Sequence, residues 1–149
     1  MPCQPMSRRA DGIGDPSLLA RDTHKFEARY MDRLVGPWPQ AADVYAARSP
    51  INHMAAMTAP VIFFQGLEDK VVPPSQARLM VEAMTARGLT VAHYEFEGEG
   101  HGFRGAEALR RTRELELDFY GRVFGFAPPD LSERVSFVTA PRTQPSCRC

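Results

Sequence analysis

Two short glycine-rich loops that follow apolar runs carry side chains that could do chemistry: Glu68 and Asp69 in Gly66-Leu67-Glu68-Asp69, and His101 in Gly98-Glu99-Gly100-His101-Gly102-Phe103. An imidazole works as a base on one ring nitrogen when an acceptor holds the proton on the other, and a carboxylate in a neighbouring loop supplies that acceptor. Glycines beside the histidine let the backbone turn sharply with no Cβ in the way. The chemistry open to such a pair is proton transfer to and from a reacting group. Spacing alone leaves a second reading standing, in which both loops are ordinary solvated turns.

The elements that would position these loops are legible in the hydrophobic pattern. Val61-Ile62-Phe63-Phe64, preceded by Pro60 and closed by Gly66, reads as an inner parallel strand covered on both faces. Pro73-Pro74 opens a helix whose Ala77, Met80, Val81 and Met84 share one stripe, with Gly88 as its stop. Val91 to Phe96 reads as a second strand, and the loop Gly98 to Gly102 leads into a last helix. That helix buries Ala108, Thr112, Leu115, Phe119 and Val123 and carries Glu107 with Arg111, and Arg110 with Glu114, on its polar face. The order is βαβα and the fold class α/β, with a right-handed crossover. In open parallel sheets the ligand site lies off the carboxyl ends of the strands, which sets the two loops side by side. The pattern therefore predicts an Asp69 carboxylate oxygen within about 3.5 Å of a His101 ring nitrogen.

Upstream, Asp15-Pro16 is a helix start, and Leu19, Phe26, Tyr30 and Leu34 keep to one stripe until Gly36-Pro37. A shorter helix follows from about Gln40 to Arg48, ended by Pro50. The ends are poor in large apolar side chains, so a disordered arm is expected over 1–15 and a mostly disordered tail over 128–149, flanking one domain at 16–127.

Composition narrows the function classes. The 149 residues suffice for one core, and 18 basic against 18 acidic residues leave no electrostatic footprint for nucleic acid or an anionic membrane. No apolar run approaches the roughly 18 residues of a membrane span and residues 1–14 hold no signal-peptide core, so a cytoplasmic location is expected. The three cysteines, Cys3, Cys147 and Cys149, lie at the ends and read as free thiols rather than a disulfide framework. No cofactor is expected. His93, Glu95, Glu97 and His101 could be drawn as a metal cluster, but alternating strand residues and a loop seldom close a tetrahedron. His93 reads as a half-buried strand residue, His24 and His53 lack a partner motif, and Trp38 reads as a packed loop aromatic.

At this point the residues bring a family into view. Gly66-Leu67-Glu68-Asp69-Lys70-Val71-Val72-Pro73-Pro74-Ser75-Gln76 resembles the acid-bearing G-x-x-D-x-x-V-P-x-x-Q segment of prolyl oligopeptidase-type serine peptidases. Gly98-Glu99-Gly100-His101-Gly102-Phe103 resembles their G-E-x-H-G-F loop. The likeness extends through Asp22-Thr23-His24-Lys25-Phe26-Glu27 and Arg48-Ser49-Pro50-Ile51, over roughly residues 18 to 127. It implies an α/β-hydrolase catalytic domain acting on peptide substrates, with Asp69 as orienter, His101 as general base and then acid, and Glu68 as a solvated neighbour. Phe26 and Val72 match positions that face the substrate in the family, although packing is the plainer role for both.

One departure limits what the resemblance implies. In α/β-hydrolases the nucleophilic Ser precedes the Asp inside G-x-S-x-G. Only Ser7, Ser17 and Ser49 precede Asp69, and none has that setting. The expectation is a C-terminal catalytic-domain fragment from a truncated or mis-started frame, inactive alone. A partner chain carrying the Ser, a fragment of another α/β-hydrolase such as an esterase or lactone hydrolase, and a non-catalytic gene product stay open as alternatives. With the upstream strand missing, one edge of strand 61–66 is expected to be unpaired and to drive self-association.

Overall fold

The fold is that of a computed structural model whose described residues are 8–10, 14–17 and 30–139. Three parallel strands, β1 (Arg8–Ala10), β2 (Val61–Gly66) and β3 (Val91–Phe96), lie side by side in the order β1-β2-β3. The helices are α1 (Tyr30–Leu34, the described part), α2 (Ala42–Arg48), α3 (Pro74–Ala86) and α4 (Ala106–Phe124), with a 3-10 segment at Pro50–Ala56. The β2-α3-β3-α4 order matches the pattern read from the sequence, and β2 pairs with β3 along its whole length, from Val61↔Val91 to Gly66↔Phe96. The 3-10 segment was not expected; Pro50 ends α2 but also serves as the first residue of this tighter turn.

Strand alternation explains why β2 sits at the centre. Val61 and Phe63 pack with Met54, Met80 and Met84 on one face, against α3 and the 3-10 segment. Ile62 packs with Ala92, Leu115 and Phe119 on the other, against α4. A strand with both faces covered has no polar side to alternate with, hence the continuous apolar run. A third cluster joins Met31 and Tyr45 to Val35 and Trp38, whose ring meets Tyr45 edge-on at 5.4 Å.

Asp15 caps the turn at Pro16 as expected, its Oδ1 accepting from the Ser17 N–H at 2.8 Å. Of the stripe expected to follow it, Leu19 and Phe26 lie outside the described residues, whereas Tyr30 and Leu34 fall in α1, where Leu34 is exposed and Met31 is the buried residue. Cys3, Cys147, Cys149 and His24 also lie outside the described residues.

Both ends depart from expectation. Within the stretch 1–15, expected to be a loose arm, Arg8–Ala10 forms β1 and pairs parallel with Val61, Ile62 and Phe63. The edge of β2 expected to be unpaired is therefore occupied over half its length. The shortage of large apolar side chains was the wrong criterion, because strand pairing is made by main-chain N–H and C=O groups that any extended segment possesses. Residues 14 and 15 are packed as well: the Asp15 N–H donates to the buried Gln76 side chain at 2.9 Å, and a Cβ at Gly14 would collide with Met80.

The second departure is the tail. Gly125 adopts φ +81° and closes α4, with the Gly125 and Phe126 N–H groups donating to the Gly121 carbonyl at 2.8 and 3.0 Å. Residues 131–139 then run alongside α4 as a strap. Val135 is buried among Ile62, Leu115 and Phe119, with Phe137 beside it, and Thr139 forms an antiparallel bridge with Val91 on the outer edge of β3. The strap is polar in composition because its anchors are ionic. Arg111 grips Glu133 through two hydrogen bonds of 2.7 and 2.9 Å, so the expected Glu107–Arg111 pairing is replaced, and Arg110 spans both Glu107 and Glu114. Asp118, with its side chain only 4% exposed, takes Arg122, Arg134 and the Val135 N–H, each at 2.8–2.9 Å.

Candidate active site

The acid loop is built at the carboxyl end of β2. Leu67 continues the strand ladder, its N–H donating to the Phe96 carbonyl at 3.0 Å, before the chain turns at Gly66–Asp69. Asp69 Oδ1 accepts from the Val71 and Val72 N–H groups at 2.9 and 2.8 Å, an Asx-type turn that fixes the carboxylate. Its side chain is 9% exposed. Gln65, buried at the strand end, donates from Nε2 to the carbonyls of Gly66 and Val72 at 2.9 and 3.1 Å and so ties the base of the loop.

The histidine loop follows β3. Gly98 and Gly102 have φ of +72° and +84°, conformations that L-residues with a Cβ rarely take, so the glycines around His101 are required by the turn. His101 Nδ1 lies 3.0 Å from Asp69 Oδ2. A carboxylate only accepts, so the shared hydrogen is the Nδ1–H of the imidazole and the Nε2 lone pair is left free. The histidine is 57% exposed against the 9% of its partner: the acid is enclosed while the base reaches outward. That is the arrangement in which a carboxylate orients and an imidazole exchanges protons.

The two loops touch directly. The Glu68 N–H donates to the Glu99 carbonyl at 2.9 Å, and Gly66 is needed there because a Cβ would meet the Glu99 and Gly100 carbonyl oxygens. Asp69, His101 and Val72 line one open cleft of about 370 Å³, bounded on the far side by Leu109, Thr112, Arg113 and Glu116 of α4. Phe103 also lines it, its ring tilted by 45° and 4.8 Å from that of Phe96, over which the Arg111 guanidinium sits at 5.2 Å.

The other residues singled out in the sequence fall elsewhere. Glu68 is exposed and His53 leans on the Ala47 carbonyl. His93 is 13% exposed beside Phe63 and 3.8 Å from Glu95, and burial pushes its imidazole below the usual range, with Glu95 opposing the shift. Among the described residues no group of three or more His, Cys, Asp or Glu side chains could hold a metal ion. Phe26 lies outside the described residues. No described serine lines the cleft: Ser17 donates to Asp15, and buried Ser49 donates to the Tyr45 carbonyl at 2.7 Å.

Two contributors escaped the sequence reading. Gln65 was not singled out, and a lone polar side chain just before a strand's closing glycine was its signal. Glu99 was quoted only as part of the histidine loop, yet it is 9% exposed and accepts from the Arg104 and Gly105 N–H groups at 2.8 and 2.9 Å. A carboxylate a few residues ahead of a helix that lacks a side-chain N-cap was the signal for it.

The model of the prolyl oligopeptidase family matches residues 9–127. The match begins at residue 9 rather than near residue 18, so the expected arm lies within the family match from Arg9 onward. No curated protein matches the chain. Among solved structures, a Mycobacterium tuberculosis puromycin-hydrolyzing peptidase is 39% identical with a TM-score of 0.81, over 88% of this chain and 20% of its own. A puromycin hydrolase is 33% identical with a TM-score of 0.77, over 91% and 20%. A Pyrococcus horikoshii acylaminoacyl peptidase, 20% identical with a TM-score of 0.70 over 85% and 21%, shares the fold. The chain thus spans about a fifth of the length of these proteins. With residues 9–127 matched by the family model and a peptidase 39% identical over 88% of this sequence, the chain belongs to the prolyl oligopeptidase family of serine peptidases.

Proposed function

We propose that this chain supplies the acid–base half of a serine-peptidase active site. Asp69 holds His101 in the tautomer with its proton on Nδ1. His101 Nε2 takes the proton of an attacking serine hydroxyl and returns it to the leaving amine. The observation that carries the reading is the 3.0 Å Asp69–His101 contact at the carboxyl ends of adjacent parallel strands. The substrate class is a peptide or aminoacyl amide, in keeping with the puromycin-hydrolysing relatives. Val72, on the cleft wall next to the acid loop, contacts the substrate side chain, and Phe26 is assigned there by resemblance alone. The nucleophile lies outside these 149 residues, since no serine in them sits in the G-x-S-x-G setting.

Two measurements test this. The purified chain should neither hydrolyse aminoacyl- or peptidyl-naphthylamides nor take a fluorophosphonate label. Stoichiometric labelling at Ser49 or Ser75 would overturn that part. Grafted in place of the corresponding fifth of a puromycin-hydrolysing relative, residues 9–127 should restore turnover, and His101→Ala in the graft should lower kcat by roughly four to six orders of magnitude. A graft that turns over equally well without the imidazole would show that His101 is not the base.

A further inference from the structure

The histidine loop has a composition that should let it wander. Gly98, Gly100 and Gly102 alternate through it, two of them at positive φ, and glycine gives up more backbone freedom on ordering than any other residue. His101 itself is mostly exposed, and among the described residues Asp69 is its one hydrogen-bond partner. A single bond between a mobile loop and a fixed carboxylate would leave the imidazole in its working orientation for only part of the time.

Glu99 supplies the missing restraint. Its two carboxylate oxygens take separate N–H groups, Oε2 that of Arg104 and Oε1 that of Gly105, closing residues 99–105 into a ring with His101 inside it. Its main-chain carbonyl takes the Glu68 N–H at 2.9 Å, one residue before Asp69. One residue thereby joins the acid loop, the histidine loop and the start of α4. The site is built around that carboxylate: Gly105 is the N-cap of α4 without a side-chain cap of its own, and a Cβ there would strike Glu99 Oε1. Placed ahead of α4, the negative charge also meets the positive end of the helix.

We infer that Glu99 is the positioning residue of the Asp69–His101 pair, setting the orientation and tautomer of His101 without touching the substrate. This rests on the reading of that pair as a functional unit, and the test separates the two. In the full chain with ¹⁵N-labelled histidine, the ring ¹⁵N shifts of His101, recorded at a pH where the imidazole is neutral, report which nitrogen carries the proton. The wild-type chain should show the Nδ1–H form that the Asp69 contact demands, whereas a free imidazole prefers Nε2–H. Asp69→Ala should return His101 to the Nε2–H form; if it does not, the pair itself fails, whatever Glu99 does.

Glu99→Gln replaces one acceptor by an NH₂ that faces a backbone donor, and it should shift His101 to a mixture of tautomers with at least half of the change seen in Asp69→Ala. Removal of a nearby charge can also bias the tautomer balance through its field, so the variant that keeps every charge is the one that reports orientation. Gly105→Ala displaces the same carboxylate while keeping every charge, at a φ of −64° that alanine accepts, and should give the same signature. It decides the case if Glu99→Gln does not fold. A folded Gly105→Ala chain that keeps the full Nδ1–H form overturns the inference, as does a folded Glu99→Gln chain that does so.

Discussion

The two outer flanks of the β2–β3 pair are covered by opposite means. On the β2 side, β1 contributes three residues of main chain, Arg8–Ala10, in register with Val61–Phe63. On the β3 side, the strap makes a bridge to Val91 and adds side-chain anchors: Val135 in the core and Arg134, Val135 N–H and Glu133 on acidic or basic residues of α4. An edge asks only for donors and acceptors, which any extended segment supplies. A face asks for apolar volume in a particular shape. The β1 contact is therefore indifferent to sequence, while the strap depends on it, and the stability at stake differs accordingly.

Removing each cover in turn gives the largest expected effect. A chain ending at Ala127 loses Val135 and Phe137 from the cluster of Ile62, Leu115 and Phe119, and leaves Asp118 without Arg134 and the Val135 N–H. The combined loss of apolar burial and of a partner for a buried carboxylate is about 4 kcal/mol, or a fall in Tm on the order of 15 °C. Deletion of residues 1–10 should cost far less in Tm but re-expose the apolar edge of β2, and dimers or larger species should appear in size-exclusion chromatography with light scattering. A strap deletion that melts like the parent, or an N-terminal deletion that is the more destabilising of the two, would reverse the comparison.

How far the sequence exposed this architecture follows the same division. Strands β2 and β3 and helices α3 and α4 were legible because each buries a continuous face, so burial writes a period of 2 or 3.6 into the chain. Asp69 and His101 were legible as loop residues after those strands, and the family motifs singled them out from Glu68 and His93. β1 was not legible, because three residues paired through the backbone impose no side-chain pattern. Nor was the strap: its anchors are long-range ion pairs such as Arg111–Glu133 and Arg134–Asp118, and one buried Val135 among serines and charges looks like a solvated tail. Glu99 failed for a related reason, since its partners are main-chain N–H groups that carry no mark in the sequence.

A smaller effect should separate the strap from the site. Gly66→Ala drives a Cβ toward the carbonyl oxygens of Glu99 and Gly100, the latter 2.7 Å from where it would lie. Both are backbone atoms of the histidine loop and cannot rotate away. The expected cost is about 2 kcal/mol, well below that of losing the strap. Yet the histidine loop should be pushed off the acid loop, so the Nδ1–H signature of His101 should disappear while far-UV circular dichroism is unchanged. Loss of the signature in the strap deletion while it folds, or its survival in Gly66→Ala, would show that site and strap are not independent.

The smallest effect is a change of slope with pH, and it sharpens the same contrast. Burial would raise the Asp118 carboxyl, but Arg134, the Val135 N–H and Arg122 outweigh it and hold the group below the usual carboxylate range. Arg111 does the same for Glu133. A carboxyl depressed in the folded chain adds stability that is fully present above its unfolded value of about 4, and this is lost as pH falls through the lower folded value. His93 acts in a higher window. Burial depresses its imidazole against the opposing Glu95, so the folded chain favours the neutral ring. Its contribution is present above the unfolded value of about 6.5 and is lost as pH falls through the folded one. Tm should thus decline in two stages on acidification. Asp118→Asn should flatten the lower stage, and His93→Phe the upper, in melting curves recorded from pH 7.5 to 3. If Asp118→Asn lowers Tm equally at every pH, the carboxylate anchors only as a hydrogen-bond acceptor, and the ionic part of the strap's hold is absent.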